Sequence, residues 1–158
     1  MNLIEKKTGE RLNGVVEKVS KSDLKRIKKE KYFGFDWNLE ADNQLYKIRL
    51  TKSKEILGIL SLIDYPKEFR IHINLIESSK KYRGKDKSIL NIPGCLIAFT
   101  CKMAFKNGNE GFVSLTPKTE LVEYYNKTYG FLQFGTQMAV LEEISESLIQ
   151  KYIGDEEI

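Results

Sequence analysis

A chain of 158 residues, 41% hydrophobic and 30% charged, with three prolines and no low-complexity tract, has the composition of one globular domain and not of a disordered, fibrous or disulfide-stapled protein. Its formal charge is a modest +4, and charges interrupt every apolar run before it reaches the roughly 18 residues of a membrane helix, so the expectation is a cytoplasmic protein with no membrane association. No Ser-His-Asp constellation can be argued from the single histidine, His72, no His/Cys/Asp/Glu spacing resembles a metal site, and no metal is expected.

Residues 1–153 read as one domain and the acidic 154–158 as a frayed tail. The first elements are a short strand at 15–19 and a helix that a serine, Ser20 or Ser22, caps and that stops before Gly34. Strand patterns follow at 44–51, 55–63 and 69–76, separated by turn residues, which predicts an antiparallel meander. In the third of these Phe69, Ile71, Ile73 and Leu75 alternate with Arg70, His72 and Asn74, so one face is core and His72 falls on the polar one.

From Gly94 the run to Lys106 is apolar nearly all round, as in a helix packed on a sheet. Cys95 and Cys101 on that helix are separated by ~9 Å of rise, too far for a disulfide. They read as buried apolar residues, with a reactive Cys95 near the helix start as the alternative. A buried strand at 111–115 comes next, then a helix opening at Thr116-Pro117 with Leu121, Tyr124, Tyr125 and Thr128 on one face. Gly130 closes it, a hairpin turns at Gly135, and a terminal helix covers 144–153. The fold class is α+β: a mixed sheet, antiparallel early, with a βαβ crossover in the middle and helices on both faces.

Two basic clusters stand out, Lys21 to Lys31 and Lys80 to Lys87. The second lies in a loop between a strand and a helix, where free backbone N–H groups and the positive helix end favour an anion. Tyr82-Arg83-Gly84-Lys85 supplies cations and a pliant backbone, and Gly94 permits close approach, so a pyrophosphate suits the loop.

Together Tyr82-Arg83-Gly84-Lys85, Gly94-Cys95-Leu96-Ile97 and Tyr125 through Gly130-Phe131 resemble the motifs of the GNAT superfamily of acyl-CoA-dependent N-acyltransferases, and the order of elements is similar over most of the chain. Residues 86–93 lengthen the loop relative to that pattern, Ile92 stands where an inner glycine is usual, and Tyr125 precedes Gly130 by five residues where the family has four, a position held here by Asn126.

The resemblance implies a GNAT-like fold, acetyl-CoA or another acyl-CoA as cofactor, and transfer of the acyl group to an amine on a small molecule or peptide. It implies that Arg83, Gly84, Lys85, Gly94, Cys95 and Leu96 hold the cofactor and that Tyr125, with Tyr124 or Asn126 as alternatives, protonates the leaving thiolate. Glu77 is the candidate base, because continued alternation from Leu75 places it on the apolar face of its strand. The aromatic stretch 32–37 matches the acceptor side of the family, with Phe35 and Trp37 as pocket walls and Asp36 or Glu40 as amine ligands. A homodimer is compatible with the sequence. The rival readings are a degenerate binding or regulatory module and a nucleic-acid-associated, tRNA-directed protein, although no RNA-binding motif is present.

Overall fold

The computed structural model of the chain describes residues 1–155. It contains ten strands, β1 (Leu3–Glu5), β2 (Arg11–Leu12), β3 (Gly14–Lys18), β4 (Gln44–Leu50), β5 (Gly58–Tyr65), β6 (Arg70–Ser78), β7 (Ile89–Leu90), β8 (Val113–Leu115), β9 (Leu132–Phe134) and β10 (Gln137–Val140), and four helices, α1 (Lys21–Glu30), α2 (Ile92–Lys106), α3 (Val122–Tyr129) and α4 (Glu142–Tyr152). Seven strands make the main sheet in the order β3-β4-β5-β6-β8-β10-β9, antiparallel throughout except where β6 and β8 run parallel on either side of α2. This is the expected α+β arrangement, with the crossover in the expected place. A small sheet, β2-β1-β7, lies apart from it.

Local chemistry accounts for most of the elements. Ser20 accepts from the Asp23 N–H while Asp23 accepts from Ser20, a reciprocal cap that starts α1, and Lys31 in the left-handed region ends it. Proline in the first turn opens α2, whose side chains are buried nearly all round because the main sheet lies on one flank and α4 on another. Gly130, at φ 80°, closes α3 by donating to Asn126 O.

Two cores occupy the two faces of the sheet. The larger packs α2, α3 and α4 over Ile48, Leu60, Leu62, Ile71 and Ile73, and the smaller packs α1 and Trp37 over Leu45, Ile59 and Leu75. Both cysteines are buried in the larger core, where loss of solvent pushes each thiol up to about 12, so Cys95 is packing and not a reactive thiol.

Several expectations change. Phe69 is not a core residue: it caps a 3₁₀ turn at φ 53° and is 65% exposed. The helix expected at Pro117 begins later, after a 3₁₀ turn at 119–121; it buries Tyr129 and packs the half-buried Val122 and Tyr125 against the core, while Tyr124 and Thr128 face solvent. The closing hairpin forms around Gly135 as expected, and its second strand, β10, is the one that pairs with β8. The strands β1, β2 and β7 have no counterpart in the sequence reading, because two- and three-residue strands leave no periodicity to detect. Of the tail, Gly154 donates to Ile149 O, and 156–158 lie outside the described residues.

Candidate active site

The feature that shapes the site is an extra residue in β6. The β5–β6 ladder pairs Leu62 with Ile73 and Ser61 with Leu75, leaving Asn74 as a bulge. Before the bulge Ile71 and Ile73 face α2; after it Ile76 does, and Leu75 and Glu77 turn to the Trp37 side. The alternation does not run through, so Glu77 lies on the face opposite to the one expected for it.

At the same point β6 and β8 part. Their parallel pairing covers Ile71–Ile73 against Val113–Leu115 and goes no further. Between residues 74–78 of β6 and 116–118 beyond β8 a cleft of about 410 Å³ opens, lined also by Phe35, Arg83, Leu121 and Tyr125. Along this stretch β6 is paired on its β5 side, and its other backbone edge faces the cleft. Tyr125 is the one of the three candidates on α3 that lines it; Asn126 donates to Phe131 O on another flank, and the half-exposed Tyr124 hydroxyl lies 3.3 Å from that of Tyr129. Burial, and secondarily Tyr124, push the Tyr125 phenol above its ordinary value and keep it protonated.

Glu77 is 5% exposed, and its carboxylate is fully engaged. Oε2 accepts from the Gly34 N–H at 2.5 Å and from Arg83 at 3.3 Å, and Oε1 accepts from the Phe35 N–H at 3.2 Å and the Trp37 indole at 2.9 Å. Four donors fill the roughly four lone-pair directions of a carboxylate. Where the sequence reading expected a base, the structure shows a carboxylate that already accepts four hydrogen bonds. What the residue does is hold the 33–37 loop and Arg83 to the end of β6. Asn74, at the bulge, donates to Glu40 at 2.6 Å, which sets a second carboxylate at the rim of the cleft.

The cofactor-binding expectation divides. Arg83 lines the cleft. Gly84, at φ 78°, and Lys85 are exposed on the loop beyond, where Lys85 O accepts from Lys6. Gly94, Cys95 and Leu96 are buried: a Cβ at Gly94 would meet the Tyr152 ring at 2.3 Å, and the Cys95 N–H is spent on Asn91 O within the helix. The first turn of α2 is covered further by β7 pairing with β1 and by Asn91 donating to Asn2 O. The glycine makes room for an aromatic ring, and the sequence offered no sign of that, because Tyr152 is 58 residues away. On the acceptor side Phe35 lines the cleft, Trp37 is buried beneath it, and Asp36 caps the 3₁₀ turn at 37–40 through the Asn38 N–H. Sequence reasoning missed Asn74, Thr116 and Lys118, whose proximity depends on the parting of the two strands.

His72, on the polar face as expected, is nonetheless buried, with Nδ1 2.9 Å from Ser114 Oγ and 3.2 Å from Arg70. Burial first, and the Arg70 charge second, hold it below its ordinary value. Among the described residues no group of three or more His, Cys, Asp or Glu side chains is placed to hold a metal ion, and no helix is long and apolar enough to cross a membrane.

No family model matches the sequence, and no curated protein sequence matches it either. Solved structures do match in fold. A putative acetyltransferase from T. thermophilus superposes with a TM-score of 0.66 at 13% identity, over 90% of this chain and 93% of that one. Mutant forms of the spermidine/spermine N-acetyltransferase SpeG from Vibrio cholerae give 0.62 at 13% identity, over 85% and 97%. The ribosomal-protein-S18-alanine N-acetyltransferase from Escherichia coli gives 0.60 at 12% identity, over 81% and 93%. At such identities the likeness is one of fold, and the fold is that of the GNAT N-acetyltransferases.

Proposed function

We propose that the chain is an N-acyltransferase that uses an acyl-CoA. The observation that carries this reading is the parting of β6 and β8 into a cleft onto which a half-buried, protonated tyrosine opens. The cleft suits the narrow arm of such a cofactor: it is open-edged backbone on one wall and Leu115, Pro117 and Leu121 on the other. The first turn of α2 does not suit its phosphates, because Tyr152 and β1 cover it. Arg83 and Lys85 on the exposed loop are the residues that would meet them.

When bound, the acyl-CoA supplies the thioester and its thiolate leaving group. Tyr125 holds a proton at its hydroxyl for that thiolate. Leu75, Ile76 and Leu115 line the cleft with apolar surface that excludes water. Glu77 positions Arg83 and Phe35. Glu40, held by Asn74, is the carboxylate nearest the rim that could accept a proton from the amine, directly or through water. The structural neighbours act on amines as different as a polyamine and a ribosomal-protein alanine, so the fold does not name the acceptor.

Calorimetric titration of acetyl-CoA into the protein, repeated with Arg83→Ala/Lys85→Ala, tests the proposal. Binding that the double substitution weakens supports it. The covered start of α2 favours one other reading, a binding module that keeps the fold without transfer, and absence of both heat and thermal shift with acetyl-CoA and free CoA would select it.

A further inference from the structure

The two basic clusters lie about 50 residues apart in the sequence and meet in the fold. Lys80 N–H donates to Tyr32 O at 2.8 Å, which fastens the loop after β6 to the end of α1. Around residues 32–36 the cations then close a ring. Lys28 and Lys31 line a hollow of about 210 Å³ with Phe33, Gly34 and Phe35. Lys81 Nζ lies 5.3 Å from the Tyr32 ring, Lys118 Nζ lies 5.9 Å from the Phe35 ring, and Arg83 is held beneath the Phe35 amide through Glu77.

The carboxylates on this face are already engaged. Glu55 binds Lys81 and Tyr82, Glu30 pairs with Arg26, Glu77 is buried, and Asp36 caps its turn. Lys28, Lys31, Lys80 and Lys118 make no ion pair among the described residues, and all four are exposed. Two aromatic rings stand out among them, Tyr32 at 39% and Phe35 at 44% exposure. Exposed rings interleaved with cations suit a ligand that carries both flat faces and regularly spaced negative charge, which is the chemistry of a single-stranded nucleic acid. A duplex hides its base faces from such rings, and an acidic peptide offers charge with nothing to stack.

We propose that the Tyr32–Phe35 loop and its surrounding lysines are a docking surface for single-stranded nucleic acid. Phe35 and Lys118 line both this surface and the cleft, so a strand lying on it ends at the acyl-transfer site and presents an amine carried at that end as the acceptor. The second part of this inference rests on the acyltransferase reading given above; the first does not.

The test is fluorescence anisotropy of a short labelled single-stranded RNA with the whole chain over a salt series, beside acetyl-CoA calorimetry on the same preparations. Expected are an affinity that falls linearly on a log–log salt plot, a loss of roughly tenfold in Tyr32→Ala and a comparable loss in Lys118→Glu, with acetyl-CoA binding and thermal midpoint retained in Tyr32→Ala. Equal binding of a duplex, of polyglutamate or of anionic vesicles, or RNA binding that neither substitution weakens, overturns the docking surface and leaves the acyltransferase reading standing. RNA binding without acetyl-CoA binding supports the surface and overturns its role as the acceptor site.

Discussion

The cleft beside β6 and the start of α2 are the two candidate places for an extended cofactor, and they differ in a way that separates fold from function. The cleft between β6 and β8 is open, made by a single bulged residue and by the early end of a ladder. The start of α2 is closed, filled by a tyrosine of α4 and overlaid by β1. Helix ends attract anions only while their amides can be reached. A glycine at a helix start therefore has two physical meanings, room for a ligand or room for a neighbouring side chain, and at Gly94 it is the second.

The largest effect should come from the open side. Tyr125→Phe removes the proton donor and keeps the ring packed against Phe131, so turnover should fall by roughly 10²–10⁴ while acyl-CoA affinity stays unchanged. Steady-state kinetics with parallel calorimetry reads both quantities, and unaltered turnover would break the assignment. Next in size is Glu77→Ala, which strands two amides and an indole N–H in a buried site and should cost about 2–4 kcal/mol in denaturant unfolding. A loss near zero would mean that the 33–37 loop is not anchored there.

On the closed side, Gly94→Ala forces a methyl group into the Tyr152 ring and should destabilise by about 1–3 kcal/mol. Combined with Tyr152→Leu the loss should be partly relieved, a coupling that a double-mutant cycle measures. Acyl-CoA affinity should not change in either variant; a selective loss of affinity would reopen the helix start as a ligand site. The smallest effect concerns His72. Its folded value lies below the ordinary 6.5, so both states are neutral above that pH and the stability contribution is intact. As the pH falls below 6.5 the unfolded chain takes up a proton that the folded chain resists, and stability declines until the folded value is passed. Unfolding midpoints between about pH 7 and pH 5 should show that decline, and His72→Gln should flatten it.

Much of this fold could be read from the residues. The meander, the apolar α2 and the glycine-closed α3 each carry a periodicity or a cap that belongs to one segment alone. Tyr125 and Arg83, named from the chain, both line the cleft. What could not be read is what depends on two segments at once. The Tyr152–Gly94 contact, the β1–β7 pairing and the insertion of β10 beside β8 join residues with no local signal of each other. The face assigned to Glu77 failed for a different reason: a period of two is trustworthy only until an unpaired residue interrupts it, and Asn74 looks like any other polar position in an alternating strand.

That unpaired residue acts as a phase shift in an otherwise regular wave. Upstream of it, odd-numbered side chains of β6 feed the larger core; downstream, even-numbered ones do. Substituting Asn74 leaves the phase untouched, and deleting it would remove the bulge and leave Leu75 and Glu77 facing Trp37 and Ile76 facing α2, whereas deleting a paired residue of the strand would swap the two sides. This strand should therefore accept a change of length at its bulge far more readily than at a paired position.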